Sequence, residues 1–288
     1  MFFLRSESKS AWLRLFGKRS RKIRLQHTLT LLLVLAWMSV ASVRAQQPFY
    51  VDNADVAERH RWHLETNNEY DVLPASSLPN LRQDTHTIKF SYGLFQNCEV
   101  GMDFPLIAIF NAGSSGLGTP FGFGDADFSI KFNFRKERDG SKWPAFTASL
   151  NVEPPTGDPK HQLGSGLYDY YLNGIFQKTL SPKYTLHLNG GATFAGNTLT
   201  GAVGIKTRGT IITGGASLMR QFTRKLDLGI EIYGGYTANA ALGRGALQQQ
   251  IGGNYLIGRN LSVDFGVIAG QAVGSPHYGF QLGFSKDF

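Results

Sequence analysis

The sequence is short of two features that would define other classes of protein. Its single cysteine, Cys98, cannot form an internal disulfide, which excludes a disulfide-stapled secreted fold. After residue 45 it has no apolar run near the ~20 residues that a membrane-spanning helix requires, which excludes a helical membrane protein. No cysteine lies beside residue 45 to carry a lipid anchor. Cys98 itself is expected to be a small residue at a turn or strand end.

An excess of charge is also missing once the N-terminal region is set aside. The whole chain carries 29 Lys and Arg against 21 Asp and Glu, but residues 1–45 hold nine of the basic residues and one of the acidic ones. The rest of the chain therefore has 20 basic and 20 acidic residues. A neutral chain offers no electrostatic case for a nucleic-acid partner.

The basic N-terminal region has the organisation of an export signal. A basic stretch precedes the apolar run from Leu29 to Val43, and small residues with Ala45 follow it, as at a cleavage site. Because this run is shorter than a helical span, residues 1–45 are predicted to be a cleaved signal peptide. A retained anchor helix and a start of translation further downstream remain open alternatives.

Beyond this region the apolar residues recur with a period of two, the pattern of strands with one apolar face. In residues 127–135, Phe128, Ile130, Phe132 and Phe134 alternate with Asp, Ser, Lys, Asn and Arg. Successive strand side chains point to opposite faces, so one face is wholly apolar. The same alternation marks the segments 86–94, 98–106, 144–153, 168–177, 184–194, 226–236, 261–267 and 278–288, and more weakly 60–70, 207–222 and 246–257.

About twelve strands follow from these segments, with ten to fourteen possible because three of them alternate poorly. Short turns alternate along the chain with longer loops rich in Gly and Pro, as in outer-membrane barrels with both termini in the periplasm. The sequence thus predicts an all-β, antiparallel up-and-down transmembrane β-barrel over residues 59–288. Residues 46–58 are predicted to be a short periplasmic lead-in.

Alternation alone does not separate a membrane barrel from a soluble one, but three further features do. The polar face carries many charges and glycines, which suit a wet lumen. Aromatic residues concentrate near strand ends, where the lipid interfaces would lie. The chain ends on Phe288, an outward aromatic of the kind that barrel-assembly machinery reads. Together they favour the bacterial outer membrane, with its lipid and assembly machinery as partners, over an open soluble β-sandwich.

Four motifs resemble an outer-membrane barrel family named for the meta-pathway of phenol degradation. They are Tyr92-Gly-Leu-Phe-Gln-Asn-Cys-Glu-Val-Gly101, Gly122-Phe-Gly-Asp125, Glu153-Pro-Pro-Thr-Gly-Asp158 with the trailing Leu163-Gly-Ser-Gly166, and the hairpin Gly253–Gly266. The resemblance covers most of residues 60–288. It implies the passage of small hydrophobic or aromatic solutes.

Catalytic and cofactor motifs are missing from the sequence. It has no H-x-S-N motif of outer-membrane lipases, no G-x-S-x-G nucleophile elbow and no phosphate-binding loop. His60 and His63 lie beside Glu65, but on a strand a spacing of three places the two histidines on opposite faces, whereas zinc requires converging ligands. Asp125, Asp127 and Asp158 are better explained by turn chemistry than by calcium. No enzyme activity, metal or cofactor is predicted.

Charged residues of the polar face are the candidate lumen lining, because a basic group facing lipid at the midplane would cost ~2–4 kcal/mol. These residues either pair to hold a narrow barrel together or set what can pass. The sequence therefore predicts a channel or transporter for small solutes, with a plugged barrel acting through its outer loops as the alternative and a lipid-modifying enzyme last. The candidates are Lys89, Glu99, Asp103, Asp127, Lys131, Arg135, Glu153, Asp169, His187, Glu231 and Asp264.

Overall fold

A computed structural model describes residues 48–74, 80–111, 119–197, 207–242, 245–258, 260–272 and 274–288. The predicted signal peptide, residues 1–45, lies outside the described residues, as do the first two residues of the predicted lead-in. No helix among the described residues is long and apolar enough to cross a membrane.

In the described part of the chain, thirteen strands make up a single sheet. Their bounds are β1 Trp62–Val72, β2 Asn80–Phe95, β3 Cys98–Asn111, β4 Phe121–Phe123, β5 Asp127–Arg135, β6 Ala145–Glu153, β7 Asp169–Ser181, β8 Tyr184–Asn197, β9 Thr207–Gln221, β10 Leu226–Tyr236, β11 Gly245–Leu256, β12 Leu261–Gly270 and β13 Tyr278–Asp287.

The sheet closes on itself as an antiparallel barrel. Each long strand pairs with its neighbours in the chain, and β1 pairs with both β2 and β13. The short β4 pairs only with β3, at Leu106–Ala108. The same edge of β3 pairs with β5 at Cys98–Asp103. Twelve strands therefore form the wall, which confirms the predicted count. The three weakly alternating segments form β1, β9 and β11.

Burial along the strands is the reverse of that in a soluble protein. In β13 every second residue is buried, and the buried ones are Gly279, Gln281, Gly283 and Ser285. The exposed row of the same strand is aromatic or aliphatic apart from Lys286 at its end. A closed sheet with an exposed apolar wall and a polar interior satisfies every backbone group internally, as lipid requires. The protein is an outer-membrane β-barrel, and the soluble sandwich is wrong.

The two ends of the barrel differ in loop length. At the end where β1 begins and β13 ends, two-residue turns join β2 to β3 and β7 to β8. Asn97 in the first of these turns has φ 68°, a left-handed conformation that Asn tolerates. The longer connections, such as residues 154–168, lie at the opposite end, which is the outer one in this class of barrel.

The outward face of β10 offers a direct test of the lipid boundary. Ile230 lies midway along the strand and is 57% exposed, so Ile230→Arg should lower the free energy of unfolding by ~2–4 kcal/mol. Leu226→Arg, on the same face at the periplasmic end, should cost about 0–1 kcal/mol. Urea unfolding in liposomes measures both variants. Equal losses would contradict the placement of Ile230 in hydrocarbon.

Candidate functional site

Residues 48–58, called the lumen segment below, run inside the barrel. Their backbone and side chains bond to residues of β1, β3, β5, β6, β7, β10 and β11, and the chain just beyond them bridges to β2. Eleven residues can bond to seven strands of a closed barrel only from within. The prediction of a periplasmic lead-in over residues 46–58 is therefore wrong for its described part.

The upper part of the lumen segment is held by β10, β11 and β1. The Glu231 carboxylate accepts the Val51 N–H at 2.6 Å and the Tyr50 N–H at 3.3 Å. Gln250 donates its side-chain amide to the Pro48 carbonyl at 2.5 Å. The Tyr50 ring stacks on Tyr233 with centroids 5.6 Å apart, and its hydroxyl donates to Glu69. Backbone groups that a strand would pair are thus satisfied here by inward side chains.

The middle of the lumen segment is anchored through Ala54 and Asp52. The Ala54 carbonyl accepts from the Thr147 hydroxyl at 2.6 Å and from the Asn133 amide at 2.8 Å, while its N–H donates to Gln177 at 3.0 Å. Asp52 forms an ion pair with Lys131, with Oδ2 2.9 Å from Nζ. Ala54 is fully buried, so a larger side chain there would meet the wall.

At the periplasmic end the chain joins the wall beside β2. The Ala57 N–H donates to Glu99 at 2.6 Å. The His60 N–H donates to the Gly93 carbonyl at 2.7 Å, and the Gly93 N–H donates to the Arg61 carbonyl at 3.0 Å. A Cβ at position 93 would overlap the backbone carbonyl of Glu58. This close approach gives the glycine of the Tyr92-Gly93 motif a physical reason.

Ten of the eleven predicted lining residues lie on the inward faces of their strands. Lys89 lies opposite Asp103 and Glu65 in the strand register. Asp127 accepts from Asn151 at 2.8 Å. The remaining contacts are those of Glu99, Lys131 and Glu231 with the lumen segment, and of Glu153 with Tyr171, Asp169 with the Gly196 N–H, His187 with Ser217, and Asp264 with Ser285.

Arg135 is the exception, and its predicted place in the lumen is wrong. The register of β5 and β6 shifts between Asn133 and Arg135, and such a bulge breaks the inward and outward alternation. The Arg135 side chain is exposed and lies over the Trp143 ring, 5.4 Å from its centroid. It belongs to the aromatic periplasmic rim.

Several inward residues escaped the sequence prediction. Glu69 contacts both Tyr50 and Gln281, but its strand alternates poorly because Thr66 and Asn68 occupy the outward row. Asn133, Thr147, Gln177 and Gln250 are uncharged, so a search for charges passes over them. One feature of the sequence could have pointed to these uncharged residues. The predicted lining residues include more carboxylates than basic groups, so further hydrogen-bond donors must come from other residues of the chain.

Two of the family-like motifs meet at the outer mouth around Asp125. Its carboxylate accepts the Gly157 N–H at 2.8 Å and the Ser165 N–H at 2.5 Å. Thr156 bridges the same loops, since its hydroxyl accepts the Ala126 N–H at 2.8 Å and donates to the Gly124 carbonyl at 3.2 Å. A Cβ at Gly164 would lie 2.5 Å from the Asp125 carboxylate. The motifs thus encode a loop clamp.

The residues considered for metals are occupied by other partners. Asp158 accepts the Lys160 N–H at 2.9 Å and lies 2.7 Å from the His161 ring nitrogen. His60 lies 3.1 Å from the Tyr92 hydroxyl, whereas His63 lies 2.7 Å from Asp287. No group of three or more His, Cys, Asp or Glu converges on a metal position within the described residues.

Comparison with known proteins agrees with this architecture. A family model described as "Putative MetA-pathway of phenol degradation" matches residues 77–288. The COG4313 outer membrane channel from Pseudomonas putida F1 aligns with a TM-score of 0.67 at 12% identity, covering 82% of this chain and 98% of that one. The NanC porin aligns with a TM-score of 0.54 at 9% identity, covering 77% and 98%. No curated protein matches the sequence significantly.

The Asp125 clamp predicts a local effect of its removal. Asp125→Ala deletes two backbone hydrogen bonds, each worth about 1 kcal/mol net, and should free the loop over residues 154–168 while the barrel stays folded. Limited trypsin digestion of the folded protein should then cut faster after Lys160. Asp139→Ala, in an exposed periplasmic turn, is the control. Equal cleavage rates in the two variants would show that the clamp does not hold the loop.

Proposed function

The chain belongs to the MetA-pathway of phenol degradation family, and from that premise we propose that it is an outer-membrane channel for small solutes. The solute class is hydrophobic or aromatic molecules of about the size of phenol, as the family description suggests. The barrel supports this proposal because its fold is shared with an outer membrane channel and a porin.

The single observation that carries the proposal is the chemistry of the inward face. It is built mainly from carboxylates, amides, hydroxyls and glycines, with Ile109, Ile175 and Ile268 as fully buried apolar side chains among them. Such groups tolerate water and can exchange protein hydrogen bonds for water-mediated ones. A lumen lined in this way allows small solutes to pass when the lumen segment does not fill it.

The lumen segment is the obstacle to passage, and it is held in a reversible way. Val51 and Ala54 are its fully buried apolar residues, and the Tyr50 ring stacks on Tyr233, so the apolar area that holds it comes from a few side chains. Its other anchors are hydrogen bonds and the ion pair between Asp52 and Lys131, each worth about 0.5–1.5 kcal/mol net. The segment continues into β1 by an ordinary chain connection, so it can leave the lumen without unfolding the wall.

Charge in the lumen favours cations over anions. Among the strands as described, Lys89 and Lys131 are the inward cationic residues besides histidine. They are outnumbered by inward carboxylates, which are Glu65, Glu69, Asp71, Glu99, Asp103, Asp127, Glu153, Asp169, Asp227, Glu231, Asp264 and Asp287. Rings of Asp and Glu select cations in channels. Neutral phenolic solutes would cross such a field without an electrostatic penalty.

A plugged barrel that acts through its outer loops is the second candidate function. The contacts of the lumen segment with many strands favour it, because a permanently seated segment would brace the wall. The two functions predict different rates of solute uptake when the lumen segment is deleted.

Deletion of residues 48–58 is the first test. If the barrel is a channel, the deletion variant in liposomes should take up phenol and small polar solutes several-fold faster than the full chain, because the cross-section is no longer occupied. Solute uptake and single-channel conductance measure the change. Glu58→Gln, at the exposed periplasmic end of the segment, should behave as the full chain does.

The same experiment separates the two candidate functions. Uptake no faster than in empty vesicles, for both the full chain and the deletion variant, would reject the channel and leave the plugged barrel. Equal uptake by the two chains, above the empty vesicles, would show that the lumen segment does not obstruct passage.

Ion selectivity is the second test. The deletion variant should pass K⁺ in preference to Cl⁻, as judged from the reversal potential in a KCl gradient across a planar bilayer. Replacing both Glu65 and Glu69 by Gln should lower this preference, because two inward negative charges are lost. Asp139→Asn in a periplasmic turn should leave it unchanged. A preference for Cl⁻ in the deletion variant would refute the assignment.

A further inference from the structure

Four polar side chains lie on the outer wall of the barrel rather than in its lumen. On β1 and β2, Asn68 donates to the Asp84 carboxylate at 2.7 Å, and Thr66 lies 3.1 Å from the His86 ring nitrogen. Thr66, Asn68, Asp84 and His86 are called the wall patch below. The function proposed above does not use them.

Strand alternation fixes the outward direction of the wall patch. On β1 the odd positions face inward, since Glu69 contacts Tyr50 of the lumen segment. On β2 the odd positions also face inward, since Gly93 abuts Glu58. Even positions therefore face out, in agreement with the exposure of Trp62 and Ile88 on the same rows.

The wall patch extends from the apolar band toward its outer edge, because Asp84 pairs with Tyr70, two residues before the end of β1. In the strand register Asn68 pairs with Leu282 of β13, and His86 pairs with Leu106 of β3. Tyr278 of β13 and Phe110 of β3 are exposed aromatics toward the outer ends of their strands. The wall patch lies toward the periplasm from both of these residues, so its neighbours on β13 and β3 are apolar, while Arg82 precedes Asp84 on the outward row of β2.

No other outward row of the described strands carries a carboxylate or an imidazole. The outward cationic residues lie within three residues of a strand end, and they are Arg82, Arg135, Lys178, Arg208, Arg220 and Lys286. A polar or charged group that faces lipid is penalised, and such groups in membrane proteins pair with protein. The wall patch is paired within the chain, but one hydrogen bond from Asn68 uses only part of the acceptor capacity of the Asp84 carboxylate, and the rest of it faces hydrocarbon.

We propose that the wall patch is the contact surface of a dimer formed with a second copy of this chain. A partner in the bilayer plane must itself span the membrane and present polar groups at the same height. A second copy does so, because a two-fold axis along the membrane normal brings each height of one wall to the same height of the other. The outer wall has no second polar surface of this kind in the described strands.

Hydrogen-bonding capacity on the two walls is self-complementary. A carboxylate has about four acceptor sites, and the Asn side chain has two N–H donors and an acceptor oxygen. Asp84 of one copy can therefore accept from Asn68 or His86 of the other while its bond within the chain is kept. The same patch meets itself, which is the isologous contact of a closed dimer.

Cross-linking in the native outer membrane tests the contact surface. Ile88→Cys, on the outward row next to His86, is placed in a Cys98→Ser background and treated with a short bis-maleimide. A product of twice the chain mass is expected. Leu188→Cys is the matched control, because it is exposed on β8, on the far side of the barrel, and should give none.

Removal of the polar groups tests what holds the dimer. Asp84→Leu with His86→Leu should raise the dimer Kd about tenfold or more, measured by mass in lipid nanodiscs, while the barrel keeps its heat-modifiable migration on gels. Gln249→Leu, which removes an outward polar group on β11, should leave the dimer intact.

Three results would overturn the proposal, and none of them bears on whether the lumen conducts. They are a full chain that is monomeric in nanodiscs, a double variant that dimerises as strongly as the full chain, and cross-linking from position 88 to a protein of another mass. The last result would assign the wall patch to a different membrane protein.

Discussion

Backbone hydrogen bonding in hydrocarbon is the constraint on which the rest of this structure depends. Each strand must pair on both edges, so β1 has to find β13 at the end of the chain. Closure fixes the inward and outward rows of every strand. The exposed row is then selected for lipid, and the opposite row is free to carry polar groups that a soluble core would not accept.

The interior of the barrel follows from the same requirement. The inward carboxylates, amides and hydroxyls need hydrogen-bond partners, while the N–H and C=O groups of the lumen segment have no strand to pair with. Each set satisfies the other, as in the two N–H groups held by Glu231 and the carbonyl held by Thr147 and Asn133. The segment and the wall are therefore complementary parts of one hydrogen-bond network.

The alternation of apolar and polar residues along the sequence predicts most of the fold. The bounds of β5 and β10 coincide with the predicted 127–135 and 226–236, because both strands alternate cleanly. β1 and β11 alternate poorly since polar residues stand in their outward rows, among them Asn68 and Gln249. Arg135 was misplaced because a bulge leaves no mark in a two-residue period.

The position of the lumen segment could not be predicted from the sequence, because its contacts join residues that are far apart in the chain. The bond from Val51 to Glu231 joins residues 180 apart, and the bond from Ala57 to Glu99 joins residues 42 apart. A short segment without periodicity gives no hint of such partners. The alternating pattern that predicts the strands is repeated many times along the sequence. The contacts of the lumen segment occur once, and they form only when the barrel has closed around it.

The way in which the lumen segment is attached sets the order in which it can leave. Its periplasmic end is tied to the wall through the backbone bonds of Gly93 and through the chain itself. The upper end, at Pro48 and Tyr50, is held by the side chains of Gln250, Glu231 and Glu69. Side-chain contacts exchange for water more readily than a chain connection breaks. Release of the segment, which the proposed channel requires, would therefore begin at the upper anchor, with Asp52 and Lys131 parting before Ala57 leaves Glu99.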